Sequence, residues 1–201
     1  MGLMSPIRPV PSVLSSDLVW ALQPLATRHP GLRVALRVRD QLVNPVAEGM
    51  DVVIVGGRLP DSSLVARRIG TVSTVVAASA DYLERHGEPR TLADLANHHV
   101  VQFETDPPQT HWTLVGPDGT ETVVPVQPRF EATDGRSVMD GIRAGLGLGR
   151  TSPRIMARDA SMRRVLPDYA FVPFPIFAVH PPSGSRNPRV QAVVDTLQDV
   201  L

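Results

Sequence analysis

DVVIVGGRLPDSSLVARRIG, residues Asp51–Gly70, is the stretch that decides the fold. Its apolar run Val52–Val55 predicts a buried strand, and the two glycines that follow predict a turn. The polar break Pro60–Ser63 separates this strand from a second extended run that begins at Leu64. Two extended runs on either side of a glycine turn indicate strands of a sheet, and further strands that pair with them must come from elsewhere in the chain.

The residues before this stretch alternate between strand and helix patterns. The predicted elements are a strand at Ile7–Val10, a helix with apolar positions from Leu18 to Ala26 and a kink at Pro24, a strand at Leu32–Val38 and a helical turn at Asn44–Gly49. Strands that alternate with helices pair in parallel through right-handed crossovers. The sequence therefore predicts an α/β lobe here.

Two long extended runs, Thr71–Ser79 and Phe171–His180, predict crossings between this lobe and a second one. The residues between them alternate again, with short helices at Asp81–His86, Thr91–Ala96 and Pro153–Asp159, strands at Val100–Phe103, Arg129–Ala132 and Leu148–Arg150, a hairpin of His111–Val115 with Glu121–Val126, and a helix from Asp134 to Ala144. We therefore expect lobe I to hold residues 6–74 and 176–201, with a final helix at Pro188–Leu201, and lobe II to hold residues 75–175.

The opening stretch, read together with Asp81–Val101 (DYLERHGEPRTLADLANHHVV), resembles the effector-binding domain of LysR-type transcriptional regulators. That family shows the same order: an acidic residue that opens a short apolar strand, a glycine turn, D-S-S-L-V-A-R-R, then Y-L-x-x-H-G-x-P and D-L-x-x-H. The resemblance runs from about Ile7 to Leu201. It departs at Val55, where many relatives carry an arginine, so a ligand contact through that side chain is not expected here.

The resemblance implies a two-lobed, periplasmic-binding-protein-like (type II) α/β fold with two crossover strands. It implies a bacterial, cytoplasmic homodimer, with a tetramer open for the full-length protein, that binds a small effector in the interlobe cleft. It also implies that DNA is bound only through an N-terminal winged helix-turn-helix domain. We expect that domain to be absent from this chain, because no basic helical pair precedes Ile7.

The composition agrees with such a regulatory part. Twenty basic and twenty acidic residues give a net charge of zero, whereas nucleic-acid binding needs a basic surface. The chain has no cysteine, which excludes disulfides and thiolate chemistry. No apolar run approaches the roughly 18–20 residues of a membrane span. The first residues lack a secretory signal, which argues for the cytoplasm.

The motifs favour neither an enzyme nor a cofactor or metal site. The glycine-rich segment Gly145–Gly149 follows a helix and opens a strand, the reverse of a dinucleotide-binding loop, so we interpret it as a helix terminus. The pair His98–His99 lacks metal-ligand spacing, and we expect the histidines to be exposed or capping residues. No G-x-S-x-G motif is present. We predict no catalytic residue, no cofactor and no metal.

Small polar residues at strand-to-helix turns are the candidate effector contacts, because ligands of open α/β sheets bind beyond the carboxyl ends of strands. Each such residue taken alone is as well explained as a helix cap. The predicted set is Ser12, Val13, Ser15, Gly56, Gly57, Phe103, Thr133, Asp134, Arg136, Thr151 and Ser152. Free N–H groups at helix starts suit a carboxylate or another small acid, with Arg136 as the nearest cation.

Two other classes of function stay open at this point. A solute-binding protein of a transport system has a similar fold, although the missing secretory signal argues against it. An enzyme on the same fold would need a cleft with a perturbed acid–base pair, and the sequence indicates none.

Overall fold

The computed structural model describes residues 8–9, 15–37, 46, 48–57, 59 and 62–200. By its packing the chain divides into two compact units. The first unit takes residues 1–72 and 174–201, and the second takes residues 73–173. The chain therefore passes between the units at Ser73 and again at Pro173, two residues before each boundary expected from the sequence. No helix within the described ranges is long and apolar enough to cross a membrane.

The first unit is built on a four-stranded sheet in the order β1-β2-β12-β3. Its elements are β1 (Arg8–Pro9), α1 (Ser15–Ala21), α2 (Gln23–Arg28), β2 (Val53–Gly56), β3 (Val65–Val72), β12 (Phe174–His180), a 3-10 helix (Pro182–Arg186) and α6 (Pro188–Val200). The final helix packs its buried residues, Val190, Val194 and Leu197, inward, as its apolar spacing predicts. The return of the last strand and helix to this unit agrees with the sequence prediction.

The pairing in this sheet corrects the prediction of parallel neighbours. β12 is antiparallel to both β2 and β3, and β1 is antiparallel to β2. β2 and β3 do run in the same direction, but β12 lies between them. The order of elements along the first 72 residues could not reveal this, because the inserted strand comes from the far end of the chain.

The predicted strand at Leu32–Val38 is also wrong over its described part. Residues 32–37 form no regular secondary structure, and Val34 and Leu36 are exposed. Alternating apolar residues form a strand when one face is buried, and here neither apolar side chain finds a core. Most of the turn predicted at Asn44–Gly49 lies outside the described residues.

The proline in the first helix acts as predicted, but the burial prediction around it fails. The helix is interrupted at Leu22, and α2 starts directly after it with Pro24 in its first turn. Leu18, Ala21 and Leu25 face the core, whereas Trp20 is 56% exposed and Leu22 is half-buried. The interruption turns the helix so that Trp20 lies on the outer face, which corrects the expectation that Trp20 and Leu22 are largely buried.

The second unit holds a five-stranded sheet in the order β10-β4-β9-β5-β8 and a three-stranded sheet in the order β11-β6-β7. The strands are β4 (Val75–Ser79), β5 (His99–Phe103), β6 (His111–Val115), β7 (Glu121–Pro125), β8 (Gln127–Ala132), β9 (Leu148–Thr151), β10 (Met162–Arg164) and β11 (Ala170–Phe171). The helices are α3 (Ala80–His86), a 3-10 helix (Leu92–Asn97), α4 (Gly135–Arg143) and α5 (Pro153–Met156). The predicted hairpin of β6 with β7 is confirmed. The short edge strand β10 was not predicted.

The core of the second unit lies between its two sheets. Val76, Val100 and Leu148 of the larger sheet meet Trp112, Leu114 and Val124 of the smaller one. On the other face of the larger sheet lies α4: Ile142 fills the space beside Gly149, where a Cβ would come within 2.3 Å of its Cδ1 atom. The five-stranded sheet is thus packed on both faces, by the smaller sheet and by α4.

Candidate functional site

One end of the five-stranded sheet collects most of the predicted site residues. β5 is parallel to β8 and β9, with Phe103 opposite Ala132 and Val101 opposite Gly149. Thr151, two residues after Gly149, is the last residue of β9, and it pairs with Val75 of β4. We call this end of the sheet the carboxyl edge. It brings together Phe103, Thr133, Asp134, Arg136, Thr151 and Ser152 within one unit.

Asp134 occupies the start of α4 as its N-cap. Its carboxylate accepts a hydrogen bond from the backbone N–H of Ser137 at 2.9 Å. Hydrogen bonds from the Ser137 side chain and backbone, aided by the charge of Arg136, lower the pKa of Asp134 below its usual range. The carboxylate is therefore ionised near neutral pH and already offsets the positive end of the helix dipole.

Thr133 and Arg136 flank this cap on the surface. Thr133 is exposed, and the Arg136 side chain is 91% exposed, with a long ion pair of 3.9 Å to Asp140 and its charge close enough to Asp134 to help the Ser137 hydrogen bonds lower the pKa of that carboxyl. An exposed ion pair of this length is weak. The Arg136 guanidinium can therefore turn toward an incoming anion at little cost.

Thr151 and Ser152 lie deeper in the carboxyl edge. Ser152 caps α5, because its hydroxyl accepts from the backbone N–H of Arg154 at 3.1 Å. The Thr151 hydroxyl is fully buried and has no hydrogen-bond partner among the described residues. A buried hydroxyl without a partner is costly. Among the predicted site residues whose side chains the structure describes, Thr151 alone has a buried polar atom left without a hydrogen bond.

Gln102, beside Phe103, is a polar residue of this edge that the sequence analysis missed. Its Nε2 atom donates to the Gln109 carbonyl at 2.7 Å and to Glu131 Oε1 at 3.0 Å, and its Oε1 atom accepts from Trp112 Nε1 at 3.3 Å. The sequence did carry a signal for it, since Gln102 is the one amide side chain in the largely apolar strand β5. These bonds hold Phe103 and the loop after it in place.

The first-unit candidates are placed less completely. Ser12 and Val13 lie outside the described residues, and Ser15 begins α1. Gly56 ends β2, and the Phe174 ring already fills the space beside it, since a Cβ there would lie 2.7 Å from Phe174 Cε2. Gly57 has φ of 84°, a conformation that favours glycine, and its N–H donates to the Pro175 carbonyl at 2.9 Å. Packing and turn geometry thus account for both glycines, and their predicted contact with a ligand stays a prediction.

The histidines correct one expectation. His98 and His180 are buried rather than exposed. His98 Nδ1 lies 3.1 Å from the hydroxyl of buried Tyr82, which also accepts from the His99 backbone N–H at 3.2 Å. Burial, together with the charge of His86, lowers the pKa of His98. Within the described part of the chain, no three His, Cys, Asp or Glu side chains are grouped to hold a metal ion.

The glycine-rich segment is a helix terminus, as predicted. α4 ends at Arg143, Gly145 takes φ of 71°, and β9 begins at Leu148. Gly147 passes so close to β5 that a Cβ would lie 2.6 Å from the His99 carbonyl oxygen. The glycines serve the connection from helix to strand.

Solved structures define the class of protein. The regulatory domain of CrgA, a LysR-type regulator from Neisseria meningitidis, superposes with a TM-score of 0.78 at 23% identity, over 94% of this chain and 93% of that one. Full-length AphB, a Vibrio cholerae virulence activator, gives 0.74 at 25% identity over 95% of this chain and 66% of that one. Both are LysR-type regulators, whose regulatory domains have the type II periplasmic-binding-like fold, and this chain has the same fold.

The particular family follows from the sequence match. Residues 10–201 match the LysR substrate binding domain, and the chain belongs to that family. The HTH-type transcriptional activator AaeR of Escherichia coli is 31% identical over 174 residues, which are 85% of this chain and 56% of AaeR. The chain thus spans little more than half the length of such relatives. They are transcriptional regulators, so the effector-binding assignment is supported over that of a transport protein.

Proposed function

We propose that this chain is the sensing part of a bacterial transcription factor. A small effector binds at the carboxyl edge and alters how the full-length protein binds DNA through an N-terminal domain and controls transcription. LysR-type regulators bind effectors, dimerise and bind DNA in this way, and they act in the cytoplasm. We propose no enzymatic activity for the chain, since its family is one of regulators. The match to the LysR substrate binding domain over residues 10–201 carries this proposal.

The effector is proposed to be a carboxylate or another small acid. Arg136 supports this, because it is cationic, largely exposed and only weakly paired, and it lies in the first turn of α4. Asp134 works against an acid at the helix terminus itself, since its ionised carboxylate would repel one. The acid group is therefore expected beside Arg136 and Thr133, with less charged parts of the effector nearer Thr151. Placement of the effector between the lobes, against Ser12, stays a prediction.

A thermal-shift screen tests both parts of this proposal. A ligand that binds only the folded state raises the unfolding temperature with concentration. Small carboxylic acids are compared with their uncharged amides, first on the parent chain and then on Arg136→Ala. The acid should stabilise the parent more than its amide does, and Arg136→Ala should abolish the difference.

Arg163→Ala is the matched control. Arg163 is also exposed in the second unit, and its guanidinium donates to the nearby carbonyls of Ala160 and Met162. The control should respond to the acid as the parent does. An effector that binds Arg136→Ala with unchanged affinity refutes the assigned role of Arg136.

A homodimer is proposed for the chain, as is typical of the family. Two large apolar side chains of α1, Val19 and Trp20, are 55% and 56% exposed, and burial between two copies would remove them from water. Light scattering across a concentration series should report twice the monomer mass. Val19→Ser with Trp20→Ser should shift that mass toward the monomer, whereas a parent chain that stays monomeric throughout contradicts the proposal.

A further inference from the structure

Arg150 lies in the middle of β9, one residue before the carboxyl edge, and its side chain is held on both sides. Its Nε atom donates to the hydroxyl of buried Thr74 at 2.5 Å. The centre of its guanidinium lies 4.6 Å from the ring centroid of Phe171. A half-buried arginine that both donates a hydrogen bond and covers an aromatic face is fixed in position.

Thr74 and Phe171, which Arg150 contacts, lie near the two ends of the second unit. Thr74 is the second residue after the chain enters this unit, and Phe171 lies two residues before it leaves at Pro173. The backbone N–H of Phe171 donates to the carbonyl of Thr74 at 3.0 Å, so the two segments are adjacent. Arg150 therefore touches both connections between the units where they join the second unit.

The chemistry of these contacts requires arginine. A guanidinium can donate from Nε along its edge while its planar face lies against a ring. A lysine has one compact ammonium and cannot offer a flat face and a side-on donor together. Arg150→Lys thus keeps the charge and most of the length but removes the double contact.

Both partners are also linked to the carboxyl edge. Thr74 directly precedes Val75, which is paired with Thr151. Phe171 packs edge-on against Trp112, with ring centroids 5.2 Å apart, and Trp112 donates to Gln102 beside Phe103. The ends of β9 and β5 are therefore joined to the two crossing segments through groups in direct contact.

We propose that Arg150, Thr74 and Phe171 form a clasp that holds the two chain crossings at a fixed spacing and makes them move together. This is a conformational device of the second unit. It goes beyond the proposed function, because it operates in the chain without an effector.

Amide hydrogen exchange on the chain without ligand tests the clasp. In Arg150→Lys, exchange of the Phe171 amide should rise by about tenfold or more, the factor expected for losing one hydrogen bond to a charged group. Amides at residues 74–75 should rise with it. The amide of Ala144, which directly follows α4 and donates to the Asp140 carbonyl at 2.8 Å, should keep the parent rate.

Thr74→Val tests the same contact from its other side. It should raise the same amide rates as Arg150→Lys, and the double variant should exchange no faster than the single ones. Arg163→Lys, on the edge strand β10 of the same sheet, is the control and should leave the Phe171 amide unchanged. Unchanged exchange at Phe171 in Arg150→Lys, additive effects in the double variant, or a uniform rise across α4 and the crossings would each overturn the clasp. None of these outcomes depends on whether an effector binds.

Discussion

Two buried threonines of the second unit offer a matched test of what the carboxyl edge is built for. Thr151 and Thr74 are 0% and 3% exposed; Thr151 ends β9, and Thr74 lies two residues after β3 and directly before β4, which pairs with β9. The Thr74 hydroxyl accepts from Arg150, whereas that of Thr151 has no partner within the described residues. Valine has nearly the shape of threonine, so each substitution removes a hydroxyl with little change in packing.

The two variants should move stability in opposite directions. A buried polar group without a partner costs about 1–3 kcal/mol, so Thr151→Val should stabilise the unliganded chain by up to that amount. Thr74→Val instead removes the hydroxyl that accepts from Arg150 Nε and should destabilise by about 1–3 kcal/mol. For a chain of this size each kcal/mol shifts the unfolding temperature by about 2–4 °C.

The assay is thermal and urea unfolding of parent and variants, followed by titration of any acid that stabilises the parent. Thr151→Val should unfold at a higher temperature and bind that acid more weakly, because the effector loses a hydrogen-bonding group. A Thr151→Val chain that is destabilised as much as Thr74→Val refutes the reasoning, since its hydroxyl must then have a partner in the folded state.

Three further outcomes are expected. Burial lowers the pKa of His98 below 6.5 in the folded chain, so the unfolded chain binds the proton more readily. The contribution of His98 to the free energy of unfolding should therefore be fully present above about pH 6.5 and be lost as the pH falls below that value, and His98→Asn should reduce the fall in urea titrations. Gly147→Ala should cost about 1–3 kcal/mol by thermal unfolding, because its Cβ meets the backbone of β5, whereas Gly31→Ala, with open space beside it, should melt like the parent. Trp112→Ala should cost roughly 3–5 kcal/mol, whereas Trp20→Ala should cost under about 0.5 kcal/mol in the monomer; similar losses for both would contradict the burial described above.

Most elements of the second unit were predicted correctly, because caps and turns formed by residues close in sequence set where they begin and end. Asp134 caps α4, Gly145 ends it, and the β6–β7 hairpin closes around its turn residues as expected. The first unit was predicted less well, since β12 enters its sheet from residues 174–180 and no local pattern indicates that insertion. The prediction that Trp20 is buried failed for a related reason. Helical spacing indicates an apolar face, but the break at Leu22 decides which part of that face packs against the core.

The candidate site shows the same division between local and long-range causes. Small polar residues at strand ends could be found from the sequence, but the sequence could not separate those that cap helices from those left for a ligand. Asp134 and Ser152 are already engaged by backbone N–H groups of α4 and α5. Thr151 differs because its hydroxyl is buried and no described residue supplies a partner, and this burial depends on strands such as β4 that lie far away in the chain. Selectivity for an effector should therefore depend more on Thr151 and Arg136 than on the capping residues, whose replacement would weaken binding mainly by loosening the helices they hold.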